Sequence, residues 1–127
     1  MPDIREYLLE DGRSPFAGWF DRLEARAAAK VAVAKIKMAN GQFGNVKAVG
    51  EGVSEYRVDY GPGYRVYLGR DGNELVILLG GGDKTSQAED IAEAKRLWRD
   101  YKRRKALEKM AARAETPPPV KGKRGRR

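Results

Sequence analysis

The chain contains no cysteine and no histidine. Without cysteine there is neither a disulfide framework nor a thiolate nucleophile. Without histidine there is no ordinary imidazole base, and the usual His/Cys zinc sites are impossible. Long apolar runs are missing as well. The longest aliphatic stretch, Leu75-Val76-Ile77-Leu78-Leu79, is far too short to span a bilayer. Met1 to Tyr7 has no apolar h-region, so no signal peptide is expected. These absences make a soluble, cytoplasmic protein with no membrane partner the default expectation.

A length of 127 residues matches one ordinary domain. The charge is unevenly placed. Residues 100–127 hold 11 of the 26 Lys+Arg and 3 of the 18 Asp+Glu, which leaves 15 of each sign in residues 1–99. The whole net charge of +8 therefore belongs to the C-terminal end, and the body is neutral. A basic tail on a neutral body does not make the body a nucleic-acid binder.

Ile4 to Leu9 mixes β-branched, aromatic and aliphatic residues before the Asp11-Gly12 turn and reads as a first strand. Ser14-Pro15 has the form of an N-cap followed by proline at the first helical position. Phe16, Trp19, Phe20 and Leu23 then mark one face of an amphipathic helix. A second helix is expected from about Ala27 to Ala39, closed by Asn40-Gly41, so the two should form a hairpin. Residues 41–52, with four glycines, read as a loop. Val53 to Tyr60 alternates, with Tyr56, Val58 and Tyr60 facing a core and Glu55, Arg57 and Asp59 on the other side. Gly61-Pro62-Gly63 turns the chain, and Tyr64, Val66 and Leu68 alternate against Arg65 and Tyr67. A second turn at Arg70 to Asn73 leads into Glu74 to Leu79, apolar on both faces as befits a central strand. The expected fold is α+β: a helical hairpin packed on an antiparallel sheet, made of a three-strand meander plus a short N-terminal strand, with a C-terminal helix.

Gly80 to Thr85 reads as a polar loop, and the Ser86/Glu89 spacing of a capping box starts the last helix near Gln87. Ile91, Ala94, Leu97, Trp98 and Tyr101 keep helical spacing and anchor that helix to the core. Beyond Tyr101 the apolar face thins out, and the helix should persist to about Ala114. A single domain is thus expected over residues 1–114, followed over 115–127 by a disordered, Pro-rich basic tail.

Gly80-Gly81-Gly82-Asp83-Lys84-Thr85 invites comparison with a phosphate loop, but Asp83 separates glycine from Lys84 and the GxxxxGK[ST] spacing is absent. Exposed backbone N–H groups and one lysine could still hold a single phosphate there. Arg57 and Arg65 lie on the polar side of adjacent strands, where two guanidiniums could clamp a phosphodiester. The alternative is that both are ordinary solvated positions offset by Glu55 and Asp59. Tyr67 shares their parity and could stack on a base. Lys102 to Lys105 and the run from Lys121 to Arg127 could attract RNA through counterion release, or merely solubilise the chain.

The run Glu55-Tyr56-Arg57-Val58-Asp59-Tyr60-Gly61-Pro62-Gly63-Tyr64-Arg65-Val66-Tyr67, with Leu78-Leu79-Gly80-Gly81-Gly82-Asp83-Lys84-Thr85-Ser86-Gln87 and Asp90-Ile91, resembles the RelE/ParE superfamily of type II toxins. It is most similar to the addiction-module killer branch related to HigB, over about residues 14–101. The resemblance implies a small RelE-like fold with a polar concave face. It also implies a toxin of a toxin–antitoxin system, an RNA endonuclease (mRNA interferase) that cuts messenger RNA on the ribosome and inhibits translation. No metal or cofactor is implied, because the ribose 2′-oxygen attacks the adjacent phosphate and basic residues replace a histidine pair. The implied catalytic residues are Arg57, Arg65 and Lys84. Glu55 stands where RelE has a lysine, and the RelE tyrosine near the final helix has no equivalent around Ala88-Glu89; Tyr67 is the substitute. The implied partners are the ribosome, messenger RNA and a cognate antitoxin with a helix-turn-helix DNA-binding domain. Two rival expectations stand beside this one: a ParE-like toxin that inhibits DNA gyrase by binding, and a non-enzymatic RNA- or protein-binding module.

Overall fold

A computed structural model of the chain describes residues 1–115. The elements run β1 (Asp3–Glu6), α1 (Pro15–Phe20), α2 (Ala25–Ala39), β2 (Val46–Gly50), β3 (Val53–Val58), β4 (Tyr64–Asp71), β5 (Leu75–Gly82), a 3₁₀ turn (Lys84–Ser86) and α3 (Gln87–Glu115). The strands form one sheet in the order β1-β5-β4-β3-β2, antiparallel except for the parallel β1–β5 pair. This is the expected α+β architecture with one strand more. The basic tail expected over residues 115–127 lies, from residue 116 on, outside the described residues.

The helical hairpin follows the local signals. The Ser14 side chain accepts the Ala17 N–H at 3.0 Å with Pro15 beside it, and α1 ends at Phe20, before Leu23. Glu24 caps α2 by accepting from Ala27 N at 2.8 Å and Arg26 N at 3.2 Å, so α2 begins at Ala25 rather than Ala27. Phe16 of α1 and Val31, Ala34 and Met38 of α2 pack on Tyr56, Val58, Val66, Leu68, Val76 and Leu78 of the sheet. Tyr60 and Tyr64 sit half-buried at the rim of that core.

Four local expectations change. The first strand stops at Glu6: Tyr7 still donates its N–H to the Leu78 carbonyl at 2.9 Å, but by Leu9 the chain has turned, its N–H donating to the Arg13 carbonyl at 2.8 Å. The Tyr7 hydroxyl reaches α3 to donate to Asp100 at 2.5 Å. Residues 41–52 are not all loop: Val46–Gly50 pairs antiparallel with β3, and glycine content concealed the strand. Gly80, Gly81 and Gly82 belong to β5, where they pair with Tyr67, Val66 and Arg65. Ser86 does not supply a capping-box bond; its hydroxyl donates to Asp90 at 2.5 Å, while Asp83 caps the 3₁₀ turn through Thr85 N at 2.8 Å.

The largest difference concerns the second face of the sheet. The resemblance implies that this face is polar and concave. Instead α3 lies across it and makes a second core of Tyr7, Val53, Tyr67, Ile77, Leu79, Ala94, Leu97 and Trp98. Each large side chain fully buried there contributes about 1.5–3 kcal/mol. The close approach of helix to sheet depends on absent side chains. A Cβ at Gly69 would overlap the Trp98 indole, one at Gly82 the Asp90 carboxylate, and one at Gly81 the Trp19 indole on the opposite face. The glycine run is therefore a packing device, clasped by α1 on one side and α3 on the other.

Adding a methyl group at Gly81 should force the Trp19 ring off its seat. Gly81→Ala is expected to cost about 1–3 kcal/mol, read as a lower urea midpoint. Gly44→Ala, where a Cβ meets nothing, should leave the midpoint nearly unchanged. Equal midpoints for the two variants would refute the packing role.

Candidate functional site

The Gly61-Pro62-Gly63 turn brings β3 and β4 together in a register that sets Arg57 directly opposite Arg65. Like charges directly opposite across two strands repel. Glu55 resolves the conflict. Its side chain is only 1% exposed, and its carboxylate accepts from Arg57 Nε at 3.0 Å while standing 3.7 Å from Arg65 Nε. Gln87, the first residue of α3, donates to the other carboxylate oxygen at 3.1 Å. The start of α3, the middle of β3 and the start of β4 are thus tied to one buried carboxylate.

The two arginines are not equivalent. Arg57 has half its side chain in solvent, whereas Arg65 is 9% exposed and fixed by donating from Nη1 to the Gly63 carbonyl at 2.8 Å. Its Nε is buried and has no hydrogen-bond partner. Lys84, in the 3₁₀ turn after β5, completes the basic set. Arg57, Arg65 and Lys84 line one recess of about 480 Å³ together with Asp59, Tyr64 and the Gly61-Pro62-Gly63 turn. Residues distant in sequence, 57 and 84, meet there because β5 pairs with β4 and ends beside it. The carboxyl of Asp83, next to Lys84, is held below the usual carboxylate range, mainly by bonds from the Thr85 hydroxyl and N–H.

Tyr67 is the one expected site residue that the recess does not include. It lies 1% exposed beneath α3, so it cannot stack on a base, and its hydroxyl has no hydrogen-bond partner. Strand parity placed it correctly beside Arg65; only the position of α3 decides that this parity is roofed at Tyr67 and open at Arg57. Conversely, Gln87 has no role in the sequence reading, and Glu55 stands there only as an acid offsetting solvated arginines, not as the buried carboxylate that ties them together. For Glu55 the signal was an acid two positions before Arg57 in an alternating strand. Gln87 gave none.

Chemically the recess is an anion site with rigid and mobile parts. Arg65 is preorganised, Arg57 is free to move at one end, and Lys84 is exposed. Two guanidiniums and an ammonium can surround a phosphate with directed donors. Among the described residues, no group of three or more acidic side chains is placed to hold a metal ion, and no helix is long and apolar enough to cross a membrane.

The fold and recess define a small α+β domain with a basic pocket at the open end of a two-sided sheet. No family model matches the chain. It is 46% identical over 83 residues to a protein of Haemophilus influenzae described as uncharacterized, a match that covers 65% of this chain and 84% of that protein. The chain belongs to the same family as that protein.

Two expectations follow. Glu55→Ala strands the buried Arg65 charge and should cost about 3–5 kcal/mol, whereas Arg57→Ala, which removes the more exposed partner, should cost at most about 1 kcal/mol; urea unfolding compares them, and equal losses would refute the asymmetry. The second concerns alkaline pH. Burial, reinforced by the nearby Glu55, Asp90 and Asp83 charges, pushes Tyr67 up to about 12. Burial and the carboxylates of Asp100 and Asp71 likewise push Tyr7 and Tyr101 up to about 12. An unfolded phenol ionises at about 10, so the stability these three supply is complete below that pH and is lost as pH rises through about 12. Phenolate absorbance should accordingly show three of the six tyrosines resisting ionisation until that range; six ordinary titrations in the folded protein would contradict it.

Proposed function

We propose that the chain is the toxin of a type II toxin–antitoxin system and acts as a ribosome-dependent messenger-RNA endonuclease of the RelE kind. The observation that supports this reading is the meeting of Arg57, Arg65 and Lys84 around one recess large enough for a phosphodiester and its flanking sugar. In the reaction, a ribose 2′-oxygen forms a bond to the adjacent phosphorus while the bond from phosphorus to the 5′-oxygen breaks. A cyclic phosphate and a free 5′-hydroxyl result. The 2′-hydroxyl proton leaves to a base, and the departing oxygen takes one up.

Arg65, held by Glu55 and the Gly63 carbonyl, meets the charge that grows on the phosphoryl oxygens without first having to reorganise. Arg57 closes on the same phosphate from the solvent side. Lys84 orients the 5′ side and assists proton transfer to the leaving oxygen. Tyr67 has no part, being sealed from the recess. An antitoxin with acidic side chains would neutralise the same arginines. Within this reading its affinity comes chiefly from buried apolar contacts, with the arginine pair adding specificity.

The experiment is induction of the chain in growing cells, with messenger-RNA ends mapped and the supercoiling of a reporter plasmid followed in parallel. New internal ends under the wild type are expected. Lys84→Ala and Arg65→Ala should reduce them by about a hundredfold or more, with each variant shown to be folded by circular dichroism. Loss of supercoiling without new RNA ends would replace the nuclease reading with gyrase inhibition. A fully toxic, equally expressed Arg65→Ala variant would overturn the assignment of the site.

A further inference from the structure

Helix α3 has 29 residues, about 43 Å at 1.5 Å per residue. Only its first part covers the sheet. The Arg104 guanidinium bonds the Leu8 carbonyl and the Tyr7 hydroxyl, and Lys105 pairs with Asp71; from Lys105 to Glu115 every residue is exposed. A free helical overhang of this length is marginal in water by itself.

Its side chains are ordered in one respect. Lys95, Arg99, Lys102, Lys109 and Arg113 recur at intervals of four, three, seven and four residues. At 100° per residue they stay within about 40° of a single line along the helix, and that line is about 27 Å long. Ala106 fills the one gap, where a small side chain leaves the line unobstructed. Glu51, in the turn between β2 and β3, pairs with the first two cations, Lys95 at 3.6 Å and Arg99 at 3.0 Å. Lys102 lies over the Trp98 ring at 6.0 Å. Lys102, Lys109 and Arg113 form no salt bridge among the described residues.

We infer that this line of cations is a second contact surface and that its occupant is the phosphate backbone of an RNA helix. Regularly spaced cations on a straight helix match an extended polyanion better than a compact anion. A membrane surface fits less well. The overhang offers only Leu107 and Met110 as large exposed apolar side chains, too few to bury a helical face among lipid headgroups. The choice of RNA as the polyanion rests on the nuclease reading; the cation line itself does not. Gln87, which bonds Glu55 beneath the arginines of the recess, begins the helix that carries the line. RNA seated along α3 would therefore be held at a fixed distance from the recess.

The test uses the full chain, so that the tail cations remain, and a fluorescent RNA hairpin with a stem of about 20 base pairs, long enough to span the line. The comparison is between wild type and the triple variant Lys102→Gln/Lys109→Gln/Arg113→Gln, all at exposed positions, with folding checked by circular dichroism. Each lost phosphate contact lowers the slope of log K against log salt by about 0.7–0.9. The triple variant should thus lose about 2–3 from the slope and about tenfold or more in affinity at low salt. Arg65→Ala should keep most of the slope. An unchanged slope in the triple variant would mean that the tail carries the binding, and would overturn the proposal. Tighter binding to a DNA duplex of equal length, or binding only to phosphatidylserine vesicles, would overturn it as well. Failure of the nuclease reading looks different: no RNA ends in cells, with stripe-dependent hairpin binding intact.

Discussion

The buried Glu55 carboxylate is the constraint around which this molecule is arranged. A charge in the middle of a sheet is costly unless it is paired and hydrogen-bonded. Here it takes Arg57, Arg65 and Gln87 together, from two strands and one helix. The register that brings the arginines face to face would be unfavourable without it. One acid thus permits a cluster of cations, sets the start of α3 and leaves Arg65 immobile at the edge of an open recess. On this arrangement depends any chemistry the recess performs.

A second dependence runs through glycine. An antiparallel sheet can leave one face to water, but here helices cover both faces. They can do so closely because Gly69, Gly81 and Gly82 give way to Trp98, Trp19 and Asp90. The Gly82–Asp90 approach also brings the α3 N-terminus against the end of β5. Ser86 then bonds Asp90, and the 3₁₀ turn bearing Lys84 is held beside Gly63. Packing and site geometry are consequences of the same absent side chains.

Beyond the body, α3 passes from a packed element to a charged one. Its early residues contribute Ala94, Leu97 and Trp98 to a core, and Tyr101 stacks on Trp98 with ring centres 5.0 Å apart while donating to Asp71 at 2.8 Å. Past Lys105 the helix has no core to serve. The net positive charge of the described end and the recess lie at different places on the molecule. They are linked by one continuous helix rather than by a loop.

Much of the fold was legible in the sequence because its signals are local. The Ser14-Pro15 start, the Asn40-Gly41 stop, the two alternating strands and the Gly61-Pro62-Gly63 turn depend on neighbours a few residues away. The same locality exposed Arg57 and Arg65 as partners across a hairpin. What only the tertiary structure decided is which part of the polar face stays open. Alternation states that Glu55, Arg57, Arg65 and Tyr67 share a face, but not that α3 returns across it to bury Glu55 and Tyr67 while leaving Arg57 in solvent. The glycine run was ambiguous for the same reason. Flexible loop and close-packed strand look alike until Trp19 and Asp90, nowhere near it in local spacing, are seen against it. Periodicity reports what each segment prefers; burial depends on which distant segment covers it, and only the assembled chain contains that information.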